Sequence, residues 1–85
     1  MTTTLTREQI IERLCRLAAA EAGVNVAEVS ADTDFFADLN FDSLDIIEYV
    51  MTLEDEFQVS IPDEKAQTVK TVAQAADVLI ETMSS

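Results

Sequence analysis

Apolar and polar positions alternate along this chain with helical periods, broken by two stretches that lack one. Ile10, Leu14, Leu17 and Ala18 recur at the spacing of one helix face. Thr6 stands ahead of them as an N-cap, with Gln9 three residues on as a capping box requires. Leu5 and Ile10 are placed to close a hydrophobic staple. Gly23, the only glycine, is positioned to end this helix in a left-handed turn, which predicts a helix over about 7–22. Residues 24–41 show no period and read as a long connection. Val24, Val26, Val29, Phe35, Phe36 and Leu39 are its candidate anchors, with room for one short helical turn. A connection of that length in a small domain is often functional.

A second helix is predicted from an Asp42 cap to about Gln58, with Asp45 at the third position, where a carboxylate suits the helix dipole. Pro62 permits a short helix near 63–68. Thr71 caps a last helix with Gln74 three residues later, and Val72, Ala75, Ala76, Leu79 and Met83 form its apolar stripe. The fold class expected is all-α: a small antiparallel bundle of four helices, three longer and one short, in one domain over residues 1–85.

The second helix is apolar over too wide an arc. At ~100° per residue, Ile46, Val50, Leu53 and Phe57 fall in one sector, the natural core face. Tyr49 borders that face, placed to bury its ring and keep its hydroxyl wet. Leu44, Ile47 and Met51 form a second stripe well around the helix. Glu48, Glu54 and Asp55 flank it, and Asp45 and Glu56 extend the acidic face. Such a strip fits a basic partner with a shallow apolar groove, and the flexible thioether of Met51 suits several partners. The alternative is that the short third helix covers the strip.

Composition narrows the chemistry. The chain has 85 residues, 17 acids, 5 bases and no His, for a net charge of −12. Its 48% hydrophobic content is that of a folding chain rather than a disordered acidic tail. One Cys excludes an internal disulfide and a four-ligand Cys/His zinc site, and the lack of His excludes a Ser-His-Asp triad. Cys15, inside the first helix, reads as a small buried hydrophobe. The acidity disfavours nucleic acid and anionic membranes as partners. No apolar run is long enough to span a membrane, and Met1-Thr-Thr-Thr-Leu5 is not the basic start of a signal peptide. The expectation is a soluble cytoplasmic monomer. The charge is also local: residues 31–64 hold eleven acids and no base.

Ser43 sits in the middle of that segment, at the entrance of the second helix. With no histidine it cannot be a triad nucleophile, but a helix N-terminus favours an attached phosphate. Asp42 and Asp45 repel one, so a phosphoester there should point into solvent. A calcium loop is the competing chemistry. Asp38, Asn40 and Asp42 match its first, third and fifth positions, but Ser43 replaces the required Gly and Tyr49 the required Glu, with Glu48 one residue early. No metal site is expected.

Phe36-Ala-Asp-Leu39, Asp42-Ser-Leu-Asp45, Ile47-Glu-Tyr-Val-Met51, Leu53-Glu-Asp-Glu-Phe57, Ile61-Pro-Asp-Glu64 and Thr71-Val-Ala-Gln74 together resemble the acyl carrier protein family over nearly the whole chain. The resemblance implies a non-catalytic carrier. Its serine, Ser43 here, bears 4′-phosphopantetheine, whose terminal thiol holds acyl groups as thioesters. It implies a phosphopantetheinyl transferase that uses coenzyme A and magnesium. It also implies acyl-synthesising, transferring or condensing enzymes with basic docking patches, in fatty-acid or related synthesis. The partner face so implied comprises Asp42, Leu44, Asp45, Glu48, Met51, Glu54 and Asp55, with Ile47 from the apolar strip. Two positions depart from the family. Asn40 stands where Gly is common, and Phe41 where a small or apolar residue is frequent; the bulk of Phe41 beside Ser43 could alter transferase or partner choice. A polyketide or aminoacyl cargo, an unmodified acidic adaptor, and a calcium sensor are the rival readings.

Overall fold

Each predicted helix forms, and each begins where its cap residue stands. The computed structural model describes residues 5–84, so the non-basic start noted above lies mostly outside the described residues. Helix α1 is Arg7–Ala22. The Thr6 hydroxyl accepts from the Gln9 N–H at 3.1 Å, and the Gln9 side chain accepts from the Thr6 N–H at 2.9 Å. Gly23 ends the helix at φ 73°, its N–H donating to Ala19 O at 2.8 Å. Helix α2 is Ser43–Phe57, α3 is Asp63–Ala66 and α4 is Val72–Ser84. At the start of α4, Gln74 Oε1 accepts from the N–H groups of both Thr71 and Lys70, at 3.1 and 2.8 Å. The C-cap of α2 is Gln58 at φ 56°, a left-handed residue without glycine's freedom.

Helix α1 packs against α4 and α2, while α3 rests on α4. Ile10, Leu14, Leu53, Val72, Ala76 and Leu79 form the centre of the core. The radius of gyration, 11.9 Å, is the value expected of a fully compacted chain of this length, so the long connection is folded against the bundle. A single 3₁₀ turn, Val26–Glu28, is the short helical turn expected in it. Beyond that turn the backbone is pinned to the entrance of α4. Phe35 N–H donates to Lys70 O at 2.8 Å, Val72 N–H to Thr33 O at 3.2 Å and Ala73 N–H to Ala31 O at 2.9 Å.

Several packing expectations need correction. Of the valines in the connection only Val29 is buried; Val24 and Val26 are exposed, the latter on the 3₁₀ turn. Phe35 is fully buried, while Phe36, its neighbour in an extended-to-turn stretch, faces out. Phe57, the last residue of α2, and Leu17 are half-buried, and Met83 is exposed near the end of α4. Helix α3 is shorter than residues 63–68. Tyr49 is not half wet. It is 1% exposed, and its hydroxyl donates to Leu14 O at 2.8 Å, which satisfies a polar group that would otherwise be costly in the core. Burial pushes its phenol up from the ordinary range, with Cys15 adding to the effect. Cys15 is buried as expected. Burial, with Glu12 second, raises its thiol, so it is not an activated nucleophile.

Candidate functional site

The geometry around Ser43 follows from the two residues that close the start of α2. Asp42 Oδ1 accepts from the Asp45 N–H at 2.8 Å, and Asp45 Oδ2 accepts from the Asp42 N–H at 3.1 Å. This reciprocal box satisfies two amides at the helix start. Ser43 is therefore relieved of any capping duty. It is exposed, and among the described residues its hydroxyl makes no hydrogen bond. Asn40, just upstream, takes φ 58°, the left-handed conformation that asparagine tolerates better than most residues and that the departure from glycine called for.

Phe41 does not stand beside Ser43 on the surface. It is 6% exposed and turned inward, where its ring stacks on Phe35 with centroids 5.5 Å apart and meets Tyr49 edge-on at 6.0 Å. Phe35 and Tyr49 complete the trio at 4.9 Å. Such aromatic pairs contribute about 0.5–1.5 kcal/mol each beyond area burial. The ring of Phe41 thus belongs to the core, and any effect on transferase or partner choice has to pass through the backbone.

Helix α2 leaves its second stripe uncovered. Leu44, Ile47 and Met51 are 62%, 53% and 60% exposed. The short α3 does not cap them, so that alternative falls. Instead α2 and α3 flank a half-open cavity of about 280 Å³ lined by Ile46, Ile47, Val50, Asp63, Ala66 and Gln67. A shallow groove farther along α2 runs past Glu48, Met51, Glu54, Asp55 and Val59.

The acids of the face divide into two kinds. Asp42 and Asp45 each commit one oxygen to the helix start, and Glu54 Oε2 accepts from the Ile61 N–H at 2.7 Å, tying α2 to the linker before α3. Glu48 and Asp55 are exposed, and no hydrogen bond engages their side chains. Ion pairs relieve little of the charge. Arg7 pairs with Asp77, Arg16 with Glu12 and Lys65 with Glu81; only Arg13, at 3.7 Å from Glu56, reaches an acid of the central segment. Among the described residues, the other ten acids of residues 31–64 have no basic partner.

One acid of this surface lies outside the stretch that the helix wheel covers. Glu21, from the last turn of α1, brings its carboxylate within 4.8 Å of those of Asp45 and Glu48. Only the packing of α1 on α2 puts it there, and α1 alone gives no sign of it. The residues that matched a calcium loop are used differently. Asp38 Oδ2 accepts from the Asp34 N–H at 2.8 Å, and Asp42 caps α2.

Comparison with known proteins bears directly on this arrangement. The family described as phosphopantetheine attachment site matches residues 12–79. The chain is also similar to an acyl carrier protein of Rubrobacter xylanophilus, at 40% identity over 75 residues, covering 88% of this chain and 93% of that one.

Proposed function

We propose, from the premise that this chain belongs to the acyl carrier protein family, that Ser43 is its attachment residue and the exposed face of α2 its docking surface. The protein is a non-catalytic carrier whose cofactor is a covalently attached 4′-phosphopantetheine. When attached, that group supplies the thiol on which acyl groups travel as thioesters. A phosphopantetheinyl transferase and biosynthetic enzymes are its partners.

The observation that carries the assignment is the free, exposed hydroxyl of Ser43 beside a helix start already closed by Asp42 and Asp45. Loading joins Ser43 Oγ to the pantetheine-bearing phosphorus of coenzyme A and breaks the pyrophosphate P–O bond. Adenosine 3′,5′-bisphosphate leaves, and the serine proton passes to a base on the transferase, which employs magnesium. The two aspartates place negative charge on the inner side of the site, so the new phosphodiester stands away from the helix, where the arm has reach.

The docking surface combines Leu44, Ile47 and Met51 with the carboxylates of Asp42, Asp45, Glu48, Glu54 and Asp55. Glu48 and Asp55 are its principal charges, because both are uncommitted. A basic patch on a partner enzyme is steered by this field and seated on the apolar strip. The cavity between α2 and α3 has mostly apolar walls, which supports an alkyl-bearing cargo of fatty-acid or related synthesis over an aminoacyl one. No helix among the described residues is long and apolar enough to cross a membrane. We assign the carrier to the cytoplasm and to the monomeric state.

Incubation with coenzyme A, magnesium and a broad-specificity transferase tests the site. The chain should gain one phosphopantetheine by intact mass, and Ser43→Ala should gain none. Modification of Ser43→Ala would show that another residue is the acceptor. The thioester found on the chain isolated from its host identifies the cargo.

A further inference from the structure

We propose that Phe41 is a positioning residue for the loading of Ser43: its buried ring sets where the serine hydroxyl stands relative to the body of the bundle. This inference rests on the reading of Ser43 as the attachment residue.

The capping box closes the start of α2 but uses only local residues, so by itself it fixes no orientation of that helix end against the rest of the molecule. Phe41 supplies the missing link. It lies between exposed Asn40 and exposed Asp42, yet it is buried. It also occupies the position ahead of the N-cap from which an apolar side chain staples onto the fourth helical residue, the buried Ile46. The left-handed turn at Asn40 redirects the backbone there, and the Phe41 N–H donates to Phe35 O at 2.9 Å. Ring inward and serine outward are then consequences of one short backbone path.

The ring ends on fixed points. Phe35, stacked on it within 15° of parallel, is held by its own N–H on Lys70 O, just before α4. Tyr49, meeting it edge-on, is held by its hydroxyl on Leu14 O of α1. The entrance of α2 is thus referenced to both α1 and α4 through a trio of aromatic rings. Transfer to Ser43 Oγ requires that oxygen in line with the breaking P–O bond, and small displacements from such a geometry cost rate. The ring lies in the core, away from the exposed face of α2, so binding of the transferase is left largely untouched.

Steady-state loading with coenzyme A and a transferase therefore separates the two quantities. Phe41→Ala is expected to lower kcat about tenfold while KM stays within about twofold of the wild type. Phe41→Leu, which keeps an apolar anchor but loses the flat stacked ring, is expected to lower kcat by about threefold. Leu79→Ala, a fully buried site on α4, is the control for general loosening; it should lose melting temperature but keep kcat. Retained kcat in the Phe41 variants, a change confined to KM, or an equal kcat loss in Leu79→Ala overturns the proposal. If Phe41→Ala does not fold, Phe41→Leu decides by the same criteria. Failure of the wild type to be loaded, or loading of Ser43→Ala, strikes the Ser43 reading instead.

Discussion

The hydroxyl of Tyr49 donates to the carbonyl oxygen of Leu14 across 2.8 Å, joining α2 to α1 inside the core. A buried bond of this kind contributes about 1 kcal/mol net, so Tyr49→Phe should lose about that much stability at neutral pH. The bond also ties stability to alkaline pH. The phenol is raised in the fold above its ordinary value of 10.0, so it favours the native state fully below that pH and loses this contribution as pH rises beyond it. Cys15, also raised, begins the same loss from its ordinary value of 9.0. Urea unfolding from about pH 10 to about pH 12 should fall more steeply for the wild type than for Tyr49→Phe, by up to about 1.4 kcal/mol per pH unit. Equal slopes would mean that the phenol ionises as easily folded as unfolded.

Asp42 carries the cap that frees Ser43. Asp42→Ala should cost about 1 kcal/mol, a fall of roughly 4–8 °C in melting temperature for a domain of this size, whereas Asp42→Asn keeps an acceptor and most of the stability. Thermal melts of the three proteins check this. A melt of Asp42→Ala unchanged from the wild type would remove the box from any account of the helix start.

Glu48 and Asp55 hold no backbone group in place, unlike Glu54. Replacing both by Lys should leave the melting temperature unchanged or raise it. It should also weaken binding to a transferase or other basic partner and flatten its salt dependence. Titration at two salt concentrations is the measurement. An unaltered affinity with an unaltered salt slope would refute a charge-steered docking face.

Ten unpaired acids in one segment repel one another in the folded state. Raising monovalent salt from about 10 mM to about 150 mM shortens the Debye length from ~30 Å to ~8 Å. It should raise the melting temperature by about 5 °C, with magnesium acting at lower concentration. A melt indifferent to both salts would mean that the backbone hydrogen bonds of Asp34, Asp38, Asp42, Asp45 and Glu54 already offset the repulsion.

The parts legible in the sequence were those that local chemistry dictates. Thr6, Asp42 and Thr71 start helices because each meets its partner three residues away, and Gly23 stops one because only its own backbone matters. The exposed strip of α2 was legible because a helix wheel needs no neighbours. What could not be read was decided across the bundle. Phe35 and Phe36 are adjacent in the chain, yet one is fully buried and the other exposed, and nothing periodic in residues 24–41 distinguishes them. The hydroxyl of Tyr49 finds its acceptor 35 residues away, and Glu21 joins the acidic face only through helix packing. At the candidate site, Ser43 and its acidic neighbours were visible in the sequence. The inward turn of Phe41 was not, because it depends on Asn40 and on rings brought in by tertiary contacts.

The bonds that pin residues 31–35 to residues 70–73 have a temporal consequence. During synthesis, the segment that leads into Ser43 has no strand or helix of its own to settle into until the start of α4 has been made. Contacts so distant along the chain are slow to close, because loop entropy has to be overcome first. The serine is translated well before residues 70–73, which finish its surroundings. A chain cut before residue 70 should therefore be a poor substrate for modification, even though it contains all of α2; equal modification of the cut and whole chains would dismiss this order of events. Maturation of the carrier is in this way coupled to synthesis of the start of α4.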